Sequence, residues 1–248
     1  MGMSASLVYL DDRLAVVDKP PGLSLATPRA DPSAAVRSLI ESLPKDESSA
    51  LETGPLWLVH RLDVGTTGLV LVARDEQAHR ELSQQLNRRL IDKTYLALVW
   101  GHPRPAAGSY RWPIGADRRD RRRMRVDALG RPAVTDYRII ARAPHVALLE
   151  LRPRTGRTHQ LRVHLSRAGH WIVGDDLYGG ARHRGVKQKS VQALLNPPHL
   201  LLHAWRLALP ESSTMSVRRF EAPLPHHFSA VLDALDMISG NSLPEWSQ

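Results

Sequence analysis

The feature that most restricts the fold is a series of short apolar runs that do not alternate regularly with helices. Residues 7–18 (LVYLDDRLAVVD) read as two strands around a turn at Asp11-Asp12, residues 56–73 (LWLVHRLDVGTTGLVLVA) as strand, turn and strand, and residues 93–100 (KTYLALVW) as a buried strand. Further strands are expected at 134–141 and 145–152, and a strand or strand pair at 199–209. Four helices are expected. The first covers residues 31–43, with Asp31 as cap, Pro32 in the first turn and Val36, Leu39, Ile40 and Leu43 on one face. The second runs from an Asp75 cap to near Arg89, with Ala78, Leu82 and Leu86 repeating every four residues. The third starts at a Thr158 cap and stops at Gly169, and the fourth spans 226–238. A doubly wound parallel fold would alternate strand and helix, so the pattern predicts an α+β chain with a mixed or antiparallel sheet.

A chain of 248 residues can bury one sizeable core, and neither an internal repeat nor a strong linker divides it. One domain is expected over 1–240, followed by a frayed tail over 241–248. No apolar run is long enough to span a bilayer and the start of the chain lacks a secretory pattern, so the cytoplasm is the expected compartment. A monomer is expected. With no cysteine, disulfides, thiol nucleophiles and cysteine metal sites are excluded. His159 and His164 are five residues apart with no metalloprotease pattern near them, so no metal is expected. Phosphate-cradling and dinucleotide fingerprints are missing too, and no cofactor is expected.

The net charge of +9 is carried by arginine, since only five of the 34 cationic residues are lysine. Arginine pairs with phosphate through a planar fork and stacks on bases, which suits a nucleic-acid partner. Codon bias toward arginine explains the same count, and composition alone leaves both readings open. Three segments could carry chemistry. Asp63 follows an apolar strand and precedes a glycine-containing turn, where a carboxylate can act as nucleophile or base; an aspartate bonding its own turn is the commoner use of that pattern. Residues 152–180 place Arg154, Arg157 and Arg162 around an expected helix start, a setting that favours anions or merely a solvated helix end. Within that stretch, Asp175-Asp176 could be only a turn. Residues 114–131 hold a dense arginine run that either is solvated or grips a phosphate backbone.

In order along the chain, DDRLAVVDKPPGL (11–23), HRLDVGTTGLVLVARD (60–75), KTYLALVWG (93–101), RTGRTHQLRVHLSRAGHWIVGDDLYG (154–179) and LLHAWRLAL (201–209) resemble the RluA-type family of RNA pseudouridine synthases. The resemblance implies a mixed, largely antiparallel sheet in two halves with a cleft between them, flanked by helices and loops. It implies RNA as partner, ribosomal or transfer, and isomerisation of uridine to pseudouridine without a nucleotide cofactor. It makes Asp63 the catalytic carboxylate, Tyr95 the tyrosine against the target base and Arg162 the cation paired with the aspartate, with Arg157 the weaker candidate. Arg61 would enter the RNA stack. Lys19, His60, Arg121, Arg122, Arg123, Arg157, His159 and Gln160 are expected to face RNA. Thr66-Thr67-Gly68 replaces the family's usual Thr-Ser-Gly, and the first catalytic strand begins near Leu7, which leaves no room for a preceding RNA-binding module.

Two other functions stay in play. A non-catalytic RNA-binding protein on the same fold would explain the charge but would not need Asp63, Tyr95 and Arg162 together. A glycosidase would need two carboxylates flanking the bond, and Asp175 is the best second one the sequence offers.

Overall fold

The computed structural model describes residues 4–26, 31, 33–51, 54–210, 216–238 and 243. The strands are β1 (Ser6–Leu10), β2 (Leu14–Lys19), β3 (Trp57–Leu58), β4 (Thr67–Ala73), β5 (Asp92–Trp100), β6 (Ala107–Tyr110), β7 (Ile114–Ala116), β8 (Met124–Val126), β9 (Thr135–Ala143), β10 (Val146–Pro153), β11 (Leu202–Pro210) and β12 (Val217–Glu221). The helices are α1 (Ala34–Glu41), α2 (Lys45–Ser49), α3 (Glu76–Asn87), α4 (Gln160–Arg167), α5 (Lys189–Leu194) and α6 (His226–Ala234), with a 3₁₀ turn over Arg182–Gly185. The chain forms two compact units. The first comprises Met1–Lys93 and His203–Pro223, the second Thr94–Leu202 and Leu224–Gln248.

In the first unit the strand order is β1-β2-β4-β11, with β3 on β4 and β12 on β11. β1 to β2, β2 to β4, β3 to β4 and β11 to β12 are antiparallel, whereas β4 and β11 run parallel. Every residue of β4 is buried. That explains its unbroken LVLV run: a strand covered on both faces has no reason to alternate. Leu14, Val16, Leu69, Leu71, Leu207 and Phe220 pack into one cluster with Ala78 and Leu82 of α3. The Asp75 side chain accepts from Ala78 N at 2.7 Å and caps α3 as its sequence predicts.

The second unit is built on β5-β10-β9-β6, every adjacent pair antiparallel. β5 and β10 are buried along most of their length. α4 packs on β8, β9 and β10. The arrangement is the mixed, largely antiparallel α+β fold that the strand pattern predicts.

Several elements differ from expectation for local reasons. The arginine run is carried on a hairpin, with Gly115 facing Arg125 and Ala116 facing Met124 between β7 and β8; charge density hid strands too short to show a period. The polar stretch after residue 44 contains α2, begun by Pro44 with Asp46 and Glu47 in its first turn. Ser33, not Asp31, is the N-cap of α1, while Asp31 accepts from the Ser33 N–H and hydroxyl. Pro32 and most of the expected tail lie outside the described residues. Thr158 does not cap α4 either: the cap is His159, in the left-handed region with φ 54°.

Gly68, the second residue of β4, has φ +107°, and a Cβ there would lie 2.2 Å from Ala204 O. Neither the dihedral nor the gap admits a side chain. Gly68→Ala is expected to destabilise the chain by on the order of 2–4 kcal/mol, measured as a fall in the urea midpoint; an unchanged midpoint would show that β11 can move aside.

Candidate active site

Asp63 lies on the turn that leads into β4, and it is half-buried. Its carbonyl accepts from Thr66 N at 3.0 Å, closing the turn. The next carbonyl, Val64 O, accepts from Gly22 N at 2.8 Å and from the Lys19 ammonium at 3.2 Å. Lys19 also donates to Pro20 O at 2.8 Å and Leu23 O at 3.1 Å. Its side chain is only 1% exposed. Burial pulls its pKa down to about 8, opposed by the negative charges of Asp63 and Asp18. The expectation that Lys19 faces RNA is therefore corrected: its ammonium bonds inside the protein, to Pro20 O and Leu23 O of the loop after β2 and to Val64 O of the turn that carries the carboxylate.

Asp18, next to Lys19, has its own pKa raised to about 6 by burial, against the Gly68 N–H bond and the Lys19 charge, which both lower it. On the far side of the turn, Thr67 and His203 meet in a buried pair at 2.9 Å. His203 Nε2–H donates to Ala222 O at 3.4 Å, which leaves Nδ1 to accept the Thr67 hydroxyl. The turn is thus held from the β2 loop and from β11. His60 is likewise occupied within the protein: its Nε2 accepts from Leu71 N at 3.2 Å. Burial, then the Lys93 ammonium, push its pKa down to about 3, so the ring is neutral. Arg61 and Val64, by contrast, are exposed on the same turn, Val64 at 50%.

In the second unit Tyr95 sits on β5 opposite Leu151 of β10 and is 9% exposed. Arg162 projects from α4 and makes a two-pronged contact with Asp175, Nε to Oδ2 at 2.8 Å and Nη2 to Oδ1 at 2.8 Å. Asp175 Oδ1 also accepts from Leu177 N and Tyr178 N, at 3.2 and 3.1 Å. The Tyr178 ring lies under Arg162 at 5.0 Å and Arg123 at 5.1 Å. Met124 N donates to its hydroxyl at 2.8 Å, which in turn sits 2.9 Å from His159 Nδ1. Asp175 is the residue whose place the sequence left most open. It fixes the plane of the Arg162 guanidinium, and two charges buried together with matched hydrogen bonds cost far less than either alone.

Gln160, expected to face RNA, is 4% exposed and fully used inside the protein. Its Oε1 accepts from the Thr155 hydroxyl at 2.6 Å and Arg157 N at 3.1 Å, and its Nε2 donates to Val134 O at 2.9 Å and Thr135 Oγ1 at 3.0 Å. His164 closes the same network through Thr135 Oγ1 at 3.0 Å and Trp112 O at 2.9 Å. These contacts tie the start of α4 to β9, and no sequence signal distinguishes such a glutamine from an exposed one. Arg157 Nε donates to Pro132 O at 3.1 Å. On the β7–β8 hairpin, Arg121 is exposed, Arg122 forks onto Asp120 and Arg123 stacks on Tyr178. Among the described residues no group of three or more His, Cys, Asp or Glu could hold a metal ion, and no helix is long and apolar enough to cross a membrane.

Replacing Lys19 with Met keeps the aliphatic stem but leaves three carbonyls without their shared donor. Lys19→Met is expected to cost on the order of 3 kcal/mol, read by chemical denaturation; stability equal to wild type would show that the ammonium does not hold the turn.

The comparisons with known proteins bear on the whole of this arrangement. A family model described as RNA pseudouridylate synthase matches residues 13–167, a span that includes Asp63, Tyr95 and Arg162. The dual-specificity RNA pseudouridine synthase RluA of Escherichia coli is 35% identical over 221 residues, 88% of this chain and 92% of that one. The ribosomal large subunit pseudouridine synthase D of Nitrosomonas europaea is 34% identical over 237 residues, 96% of this chain and 67% of that one. Among solved structures, human RNA pseudouridylate synthase domain containing 4 aligns with a TM-score of 0.73 at 27% identity, covering 94% of each chain. Human RNA pseudouridylate synthase domain containing 1 aligns with a TM-score of 0.69 at 25% identity, covering 92% of this chain and 87% of that one. The chain belongs to the RluA-type family of RNA pseudouridine synthases.

Proposed function

We propose that this enzyme isomerises a uridine of ribosomal RNA to pseudouridine and that Asp63 is its catalytic carboxylate. The observation that carries the reading is the construction around Asp63: a half-buried carboxylate on a turn held through Val64 O by Lys19 and Gly22, with a buried cation beside it. A turn aspartate that only bonds its own backbone needs no such support. The reaction breaks the N1–C1′ bond, turns the uracil and joins C5 to C1′. A proton leaves C5 and one is gained at N1, so atoms balance without oxidation. Asp63 acts on the glycosidic bond from the ribose side.

Tyr95 and Arg162 are assigned to the same reaction. Tyr95 offers a flat face to the uracil, a contact of roughly 1–3 kcal/mol, and Arg162 supplies the cation of the proposed site. Asp175 presents Arg162 in one orientation, so that this charge is fixed in place. Arg61, exposed on the Asp63 turn, enters the RNA stack as the target base is extruded, a step that costs a few kcal/mol. Ribosomal RNA is favoured by the name of the Nitrosomonas relative, and the dual-specificity name of the Escherichia coli relative favours a second RNA substrate. Mapping pseudouridine in cells with and without the gene identifies the position.

Asp63→Asn preserves the backbone bond that closes the turn, removes the charge and replaces one carboxylate oxygen with an amide nitrogen. It is expected to lower the release of tritium from C5-labelled uridine in RNA by about a thousandfold or more, while RNA binding persists. Release near the wild-type rate would dismiss Asp63 from the chemistry. Replacing Arg121, Arg122 and Arg123 with Ala is expected to weaken RNA binding and to flatten its salt dependence by roughly 0.7 for each phosphate that is no longer neutralised. An unchanged slope would make the β7–β8 hairpin a solvated surface.

A further inference from the structure

Many arginines of this chain are answered by a carboxylate. Arg13 faces Glu81, Arg80 faces Glu76, Arg125 faces Asp127, Arg138 and Arg152 share Glu150, and Arg154 faces Asp136. Even the arginine-rich β7–β8 hairpin carries Asp117, Asp120 and Asp127 of its own. Residues 177–205 depart from this pattern, for they contain no Asp or Glu at all. Within them Arg182, Arg184, Lys187 and Lys189 crowd into eight residues, all four exposed. None of the four forms an ion pair among the described residues; Lys189 donates only to Gln192 Oε1, at 3.2 Å.

The segment is also built rather than loose. Arg182–Gly185 is a 3₁₀ turn, Val186 N donates to His183 O at 3.0 Å, and the Val186 side chain is buried at 5% exposure. Gln192 of α5 reaches back to His183 O at 3.2 Å. The Arg182 guanidinium lies over the Trp171 ring with its carbon 3.0 Å from the centroid, so its plane and donors are set in advance. A cluster of like charges held close together is unfavourable in the free protein, and a polyanion relieves that repulsion.

We propose that residues 182–189 form a second RNA-binding surface, which grips the phosphate backbone of the substrate. The proposal rests on the reading of the chain as an enzyme acting on RNA. The chemistry selects phosphodiester rather than base: four cationic side chains with no Phe, Tyr or Trp between them recognise a regular anionic chain and carry no sequence code. The ordered 3₁₀ turn and the Trp171 stack keep the ordering cost low when the backbone docks.

The test is the triple variant Arg184→Ala, Lys187→Ala, Lys189→Ala in the full chain, which leaves the Arg182–Trp171 stack and the buried Val186 intact. Binding of a fluorescein-labelled single-stranded RNA of about 20 nucleotides is titrated over a range of KCl concentrations, and thermal unfolding confirms that the variant is folded. The expected result is a plot of log K against log salt shallower by about 2, at roughly 0.7 per phosphate, with affinity near physiological salt down by roughly tenfold. Arg184→Lys alone is expected to keep the wild-type slope. A triple variant with the wild-type slope and affinity overturns the proposal, and so does a loss of affinity that is equal at every salt concentration. Tritium release by the wild-type chain separates this from the catalytic reading. A chain that binds RNA steeply but releases no tritium overturns the catalytic reading alone, and one that turns over uridine while the variant keeps its slope overturns this surface alone.

Discussion

One buried ammonium organises the first unit. Lys19 stands at the end of β2, and its three protons go to Pro20 O, Leu23 O and Val64 O. That cation joins the Pro/Gly-rich loop after β2 to the turn before β4, beside the direct bond from Gly22 N to Val64 O. Taking an ammonium out of water costs several kcal/mol, and it is sustained only where hydrogen bonds and opposite charge replace the hydration it gives up. Here the carbonyls supply the bonds, and Asp18 and Asp63 supply the charge. The carboxylate proposed to act on RNA is therefore also part of what makes the buried lysine tolerable. Support and function rest on the same electrostatic arrangement.

The second unit solves a similar problem with neutral groups. The start of α4 has no side-chain cap, and the strain of His159 in the left-handed region is balanced by a closed polar network. Gln160, Thr155, Thr135 and His164 satisfy one another and the backbone of the β9 strand and its approach. That network sets the direction of α4, which aims Arg162 at Asp175. A fully satisfied buried network specifies one geometry, because any shift strands several donors at once.

The strands and their pairing class were legible because burial on both faces writes itself into the sequence as unbroken Val and Leu runs, as in LVLV of β4 and LALV of β5. The Asp75 cap was equally legible, since the rule behind it is local. Gly68 drew notice only as part of a turn; its close approach to Ala204 is a property of two segments far apart in the chain and leaves no local mark. The same holds at the site. Asp63, Tyr95 and Arg162 were named from ordered motifs, but nothing near Lys19 or Gln160 says that their polar ends turn inward. A lysine before Pro-Pro-Gly and a glutamine at a helix start look solvent-facing until the fold closes over them. The β7–β8 hairpin was hidden for the opposite reason, because three-residue strands cannot display a period of two through so much charge.

The parallel seam between β4 and β11 also has a meaning for synthesis. The turn that bears Asp63 is flanked by a strand whose neighbour, His203–Ala204, leaves the ribosome long after residues 1–93 have emerged. Closing so long a loop carries an entropic cost that only the finished chain can recover. A nascent or prematurely terminated chain lacking β11 therefore lacks both the parallel partner of Thr67–Gly68 and the Thr67–His203 contact, so the turn before β4 is fully buttressed only after residues 202–210 have joined it.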